Sequence, residues 1–290
     1  MKLQILNSQL DRSVNFVEDQ LVGFLESRFV RKCDDYFICY LSSQTGCNRG
    51  CTFCHLTATK QQSFTDADLN DYLSQAMRVM RHYKTKPTAK YIHFNFMARG
   101  EALANKNFLN GADGILWQLG ELASREGLGV KFNVSTIMPK TLKKSLPDIF
   151  KIIHPTIYYS LYSCNDDFRS KWMPGAMPVE DSMKLLKEYQ KYSKKVIKIH
   201  HAFIKGENDG LGDLEYMCYL LDSYDLNVEF NLVRYNPASP EQGEESSDAV
   251  IARNIDYLTR HLEGKVQVIP KVGYDIKSSC GMFVDKQGAL

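Results

Sequence analysis

No apolar run in this chain approaches the roughly 18–20 consecutive residues that a membrane helix requires, so no spanning helix is expected. An excess of charge of one sign is missing too. With 36 Lys and Arg against 34 Asp and Glu, the formal net charge is +2, and composition alone does not announce a nucleic-acid binder. There is no internal repeat and no low-complexity segment, which excludes an array or a flexible tract. The N-terminus, MKLQILNSQLDRSVNFVEDQ, is broken by Asn, Gln and Asp too early for a secretory signal. These absences predict a cytoplasmic protein with no membrane partner. In that reducing setting its eight cysteines are not expected to form a disulfide framework.

What is present is an alternation. Short apolar runs at Tyr36–Leu41, Tyr91–Met97, Gly129–Ser135, Thr156–Leu161, Val196–Phe203 and Asn227–Arg234 read as strands. Amphipathic stretches at Asp66–His82, Ala112–Glu126, Val179–Tyr192, Leu211–Asp222 and Ala249–Leu262 read as helices. Six β-then-α units predict an α/β fold, a partial (β/α)6 barrel with parallel strands. Ahead of it, SVNFVED and FLESRFVRK predict a β-hairpin extension over residues 1–32, leaving 33–290 as the core. Two basic segments stand out. One holds Arg78, Arg81, Lys84, Lys86 and Lys90; the other holds five lysines between Lys187 and Lys198. Such runs are solvated helix faces or phosphate contacts, and sequence does not separate the two.

One stretch carries the chemistry. SSQTGCNRGCTFCHLTATKQ, residues 42–61, puts Cys47, Cys51 and Cys54 within eight positions, with no fourth cysteine beside them. Four donors would satisfy tetrahedral zinc, and His55 is one way to complete such a site; three unrelated buried cysteines are another reading. The third is a [4Fe–4S] cluster held by three thiolates, with one iron left for a further ligand. The loop follows the first predicted barrel strand, where a parallel barrel places its chemistry.

Seven further motifs narrow the choice: SSQTGC, FMARGEALAN, VSTI, SLYS, NDDFRSKWMP, RYNP and YDIKSSCGM, in that order from about Phe24 to Met282. Together with CxxxCxxC they resemble the radical S-adenosylmethionine methyltransferases that modify carbon 2 or carbon 8 of adenine in 23S rRNA, some also in tRNA. The resemblance implies a radical S-adenosylmethionine fold, a [4Fe–4S] cluster on Cys47, Cys51 and Cys54, and S-adenosylmethionine on the open iron. It implies RNA as substrate, an electron donor such as flavodoxin or ferredoxin, and a monomer. Family members carry a longer, accessory segment before the cluster; here 46 residues precede Cys47, so a short form is expected. The alternative within the same scaffold is a different, small-molecule substrate. A metal-containing RNA-binding protein without catalysis is the reading from another class.

Residue by residue, the resemblance implies cofactor contacts at Gly100, Glu101, Ser135, Ser160, Leu161, Tyr162 (where the family has His) and Asn236. Phe53 would shield the cluster and pack on the cofactor's adenine. Cys280 matches a cysteine that takes a methyl group from one cofactor molecule and delivers it as a carbon radical to adenine. Glu26 matches the acceptor of the ring proton, and Cys39 the thiol that resolves the carbon–sulfur tether, with Cys33 in reserve. One extra residue separates Cys39 from SSQ, and a one-residue slip turns a strand side chain to the opposite face. Cys164 and Cys218 are assigned to packing.

Overall fold

The computed structural model describes residues 2–85 and 88–285; Lys86 of the first basic segment and positions 286–290 of the expected core lie outside the described residues. Among these residues ten strands form one sheet whose spatial order is the sequence order. β1 (Leu3–Asn7), β2 (Val14–Asp19) and β3 (Phe24–Val30) run antiparallel, and β3 pairs antiparallel with β4 (Tyr36–Tyr40). From β4 on every pairing is parallel, through β5 (Tyr91–Phe96), β6 (Gly129–Thr136), β7 (Thr156–Ser160), β8 (Ile197–His201), β9 (Val228–Val233) and β10 (Val266–Ile269). The expected hairpin is therefore a three-stranded meander joined to the same sheet. The parallel part has one strand more than the six expected.

Parallel neighbours need crossover connections, and the helices supply them. α1 (His55–Ala58) and α2 (Leu69–Tyr83) follow β4, α3 (Lys106–Ser124) follows β5 and α4 (Leu146–Ile149) follows β6. α5 (Asp166–Trp172) and α6 (Val179–Ser193) link β7 to β8, α7 (Leu211–Ser223) links β8 to β9, and α8 (Asp248–His261) links β9 to β10. Local chemistry sets the starts. Asp68 and Asp71 cap α2 reciprocally, each carboxylate accepting from the other's backbone N–H at 2.9 and 3.0 Å. Asn105 caps α3, so that helix begins before the expected Ala112 and bends at Gly111, where φ is −134°.

Strand alternation separates two environments. Phe37 and Cys39 of β4, with Ile197 and Ile199 of β8, enter the apolar layer beneath the helices. Phe37 stacks on Tyr83 of α2 at 4.2 Å between ring centroids. Each such fully buried aromatic contributes roughly 1.5–3 kcal/mol. Tyr36, Ile38, Tyr40, Lys198 and His200 point the other way, into a lumen also lined by Asn95, Asn133, Asn231 and Gln267.

The sheet is not closed by hydrogen bonds between its edges, β1 and β10. The segment after β10 crosses that gap instead. Gly273 N donates to Asp11 Oδ2 at 2.8 Å, and Ser8 Oγ and Gln9 N donate to the Asp275 carboxylate at 2.7 Å each. The basic segments find carboxylate partners: Arg78 with Glu18, Lys84 with Glu126, Lys187 with Asp225 and Lys198 with Glu229.

Candidate active site

The loop after β4 brings Cys47, Cys51 and Cys54 to the wall of one cavity at the carboxyl ends of the parallel strands. It encloses about 860 Å³ of empty space, part of it open to solvent. Burial pushes the Cys47 thiol up to about 12 and the Cys51 thiol well above its usual value, and neighbouring thiols raise both further. Among the described residues no group of three His, Cys, Asp or Glu converges to hold a single metal ion. A mononuclear zinc site asks for donors about 2.0–2.3 Å from one point, whereas a [4Fe–4S] cubane takes each thiolate on a separate iron. Cys47, Cys51 and Cys54 line one cavity and offer the three separate thiolates that the second demand asks for. His55 is absent from that wall, and its buried Nε2 has no partner.

Gly100 and Glu101 line the same cavity from the loop after β5. Gly100 has φ +87°, and a Cβ there would stand 2.7 Å from the backbone nitrogen of Gln44, so only glycine fits this crossing. Glu101 is buried, and its oxygens accept from Leu103 N at 3.1 Å and Ile137 N at 3.0 Å. Burial raises its carboxyl above the usual range against those bonds. Among the described residues it has no ion-pair partner, and such a buried carboxylate is suited to receive a cationic ligand. Ser135, Ser160 and Tyr162 also face this space. Tyr162 has φ +55°, held by Asn208 Nδ2 donating to its carbonyl at 2.8 Å, and its ring stacks on Phe53.

Two of the expected cofactor contacts are not on the wall. Leu161 is fully buried in the layer under the helices, where alternation sends it. Asn236 lies beneath the segment after β10; its Nδ2 donates to Cys280 O at 3.0 Å and Ser279 Oγ at 3.3 Å, and its buried Oδ1 has no partner.

Cys280 lines both this cavity and the lumen, a second space of about 1210 Å³. The residue is exposed, yet surrounding protein and nearby Cys54 push its thiol up to about 11, with Arg28 pulling the other way. The other two residues assigned to the reaction are not brought to it. Cys39 is fully buried between Phe29 and Phe94 in the sheet register, and its side chain faces the helix layer. The next residue, Tyr40, takes the lumen position, as a one-residue slip dictates. Glu26 lines neither cavity. Its Oε1 accepts from Arg99 Nε at 2.7 Å and Val284 N at 3.0 Å, its Oε2 from Arg28 Nη2 at 2.9 Å and Asn15 Nδ2 at 3.0 Å. Burial would raise its pKa, but Arg99 and Arg28 hold it below the usual carboxylate range. With four donors its acceptor sites are filled in this structure. Cys33 is exposed and lines neither cavity; Cys164 and Cys218 are buried in the core.

His200 was not singled out by sequence, although the alternation of IKIHH points one of its two histidines inward. It lines both cavities with Cys280, and burial lowers its pKa to about 4, leaving a neutral imidazole. Among the described residues that ring makes an edge contact with Tyr158 at 5.6 Å and no hydrogen bond.

The sequence model of the Radical SAM superfamily matches residues 41–214. A probable dual-specificity RNA methyltransferase RlmN of Flavobacterium johnsoniae is 26% identical over 257 residues, 86% of this chain and 69% of that protein. The RlmN of Campylobacter hominis is 28% identical over 255 residues, 87% and 67% of the two chains. Among solved structures, a radical SAM methyltransferase from Sphaerobacter thermophilus superposes with a TM-score of 0.80 at 20% identity, over 97% of this chain and 80% of that one. Methylornithine synthase gives 0.53 at 10% identity, over 81% and 64%.

Proposed function

The chain belongs to the radical S-adenosylmethionine superfamily, whose cofactors are a [4Fe–4S] cluster and S-adenosylmethionine, and we propose that it methylates an adenine ring carbon of RNA with Cys280 as methyl carrier. Bound together, those cofactors supply carbon-radical chemistry that takes a hydrogen atom from an unactivated methyl group. Cys47, Cys51 and Cys54 would hold the cluster, and the buried Glu101 carboxylate would receive the cofactor's ammonium. Ser135 and Ser160 offer hydroxyls on the same wall, and the Phe53–Tyr162 stack closes one side of it.

The carrier reading rests on one observation: Cys280 lines the cluster-side cavity and the lumen at once. A thiolate there would be placed to take a methyl group from a sulfonium donor. The carbon–sulfur bond to the leaving thioether breaks, and the thiol's proton goes to solvent. The loaded sulfur would present its carbon to a base in the lumen; freeing the methylated base then needs a second thiol, supplied from solution, to attack the Cys280 sulfur, so that the carbon–sulfur bond breaks, the carbon takes a proton and a disulfide is left on Cys280. An sp² ring carbon is too poor a nucleophile for direct attack on a sulfonium, and the carrier removes that difficulty. His200 is the histidine that lines both spaces, and its place there makes it the candidate to take the ring proton. The RNA assignment draws on the printed activity of the RlmN relatives and on Lys32 and Lys271 at the lumen, whose ammonium groups can contact phosphates; Arg28, Lys198 and Arg234 on the same wall already pair with Glu26, Glu229 and Glu245. A second reading, a smaller anionic substrate, is favoured by the setting of those two lysines on the lumen, a space of about 1210 Å³ that is partly open to solvent.

Mapping of modified adenosines in total RNA from cells with and without the gene tests the proposal. A 2- or 8-methyladenosine that disappears with the gene supports it, and an unchanged RNA profile contradicts it.

A further inference from the structure

Cys280 sits in a stretch, residues 274–285, that contains neither helix nor strand. A buried set of charges holds that stretch in place. Arg28 Nη1 donates to Ser278 O at 3.0 Å, and Arg28 Nη2 donates to Met282 O at 2.8 Å and to Glu26 at 2.9 Å. Ser278 and Met282 lie two residues to either side of Cys280, so one planar guanidinium spans the turn that carries the sulfur. Arg99 Nε donates to Glu26 at 2.7 Å, and its Nη2 donates to Val284 O. Asn15 Nδ2 joins Glu26 to Ile276 O at 3.0 and 3.3 Å.

The arithmetic of charge ties the network to the segment. Two guanidiniums face one carboxylate, and all three side chains are at most 3% exposed. The unmatched positive charge is taken up by the carbonyl oxygens of Ser278, Met282 and Val284. Lifting the segment would strip those acceptors from buried cations, which is strongly unfavourable. The far side is gripped as well. His55 N, directly after the last of the three clustered cysteines, donates to Gly281 O at 3.1 Å, and Gly281 takes φ +77° to make the turn.

We infer that Arg28 is a positioning residue that fixes Cys280 between the two cavities, with Glu26 and Arg99 as its buried support. This rests on the reading of Cys280 as the methyl carrier. A lysine could keep the charge beside Glu26 but, as a point donor, could not bridge both carbonyls. A sulfur displaced by about one ångström would lose its productive geometry toward both spaces.

The test compares wild-type holoenzyme with Arg28→Lys by hydrogen exchange of residues 278–283, iron content, and deoxyadenosine formed per methyl group found on Cys280. The expected result is at least tenfold faster exchange in 278–283 with unchanged exchange in β5–β8. Iron content should hold, and the deoxyadenosine-to-methyl ratio should rise at least fivefold. Wild-type exchange together with a wild-type ratio would overturn the inference. So would a uniform loss of protection and iron at an unchanged ratio per loaded enzyme, the mark of a purely structural arginine. Should Arg28→Lys not fold, Asn15→Ala removes only the outermost tie and is expected to speed exchange at 276–279 about threefold; wild-type exchange there overturns the inference. If wild-type Cys280 never carries a methyl group, the carrier reading fails, while the exchange data still decide whether Arg28 fixes the segment.

Discussion

Phe53 and Tyr162 stack face to face, ring centroids 4.2 Å apart and planes 6° apart, on the wall of the cluster-side cavity. Phe53 is the residue just before Cys54, and Tyr162 is held in a left-handed conformation at the end of β7. The pair joins the cysteine loop to the barrel on that wall. Such stacking adds about 0.5–1.5 kcal/mol beyond burial. Phe53→Ala is expected to weaken S-adenosylmethionine binding about tenfold by titration calorimetry while leaving the iron content intact.

Cys51→Ala should behave in the opposite way. A cubane is not held firmly by two thiolates, so iron loading and deoxyadenosine production should fall together by at least tenfold. Iron and sulfide analysis of anaerobically reconstituted protein checks this, and about four irons per chain in the variant would rule out the cysteine assignment.

Cys39 is predicted to be dispensable for chemistry. Its side chain packs in the helix layer, so Cys39→Ala should turn over within twofold of wild type and leave no tethered adduct. The lost packing should cost about 1 kcal/mol of stability. A stalled covalent complex with substrate on Cys39→Ala, seen as an RNase-sensitive mass shift, would show that the thiol reaches the lumen after all.

Glu26 and His200 are expected to separate in their effects. Glu26→Gln leaves two buried guanidiniums short of their carboxylate, a loss on the order of 3 kcal/mol. Because Glu26 has a lowered pKa in the folded chain, its stabilisation is present above its unfolded value of about 4.3 and is lost as pH falls through the native value. Acid unfolding below about pH 4.5 should therefore be less steep in Glu26→Gln than in wild type. His200→Ala should fold normally yet accumulate substrate adduct on Cys280, with partial rescue by added imidazole. Rescue of Glu26→Gln by a small carboxylate, with none of His200→Ala by imidazole, would reverse the two roles.

Much of this site is legible in sequence because its signals are local. Cys47, Cys51 and Cys54 share one loop, and Gly100 must be glycine against Gln44 of that same loop's start. What was illegible depends on register or on distant chain. Cys39 and Tyr40 differ by one position, and that position decides which faces the lumen. Glu26 has the residue type of a base, but Val284, 258 positions away, supplies one of the bonds that saturates it. Asn236 turns to Cys280 O for the same long-range reason. The missed helix α5 did leave a local mark: Asn165 Oδ1 accepts from Asp167 N at 2.8 Å and Phe168 N at 3.1 Å, and two aspartates fill the first turn. The missed strand β1, LQILN, is short and lies at the sheet edge, where its half-exposed pattern gives little periodicity.

The central claim is that Cys280 carries the methyl group, and the peptide mass of Cys280 from protein made in cells measures it most directly. A fraction of that peptide should be about 14 Da heavier, the mass of one methylene, and this mass should be absent in Cys280→Ala along with all substrate methylation. An unmodified Cys280 peptide, with Cys280→Ala still methylating its substrate, would contradict it.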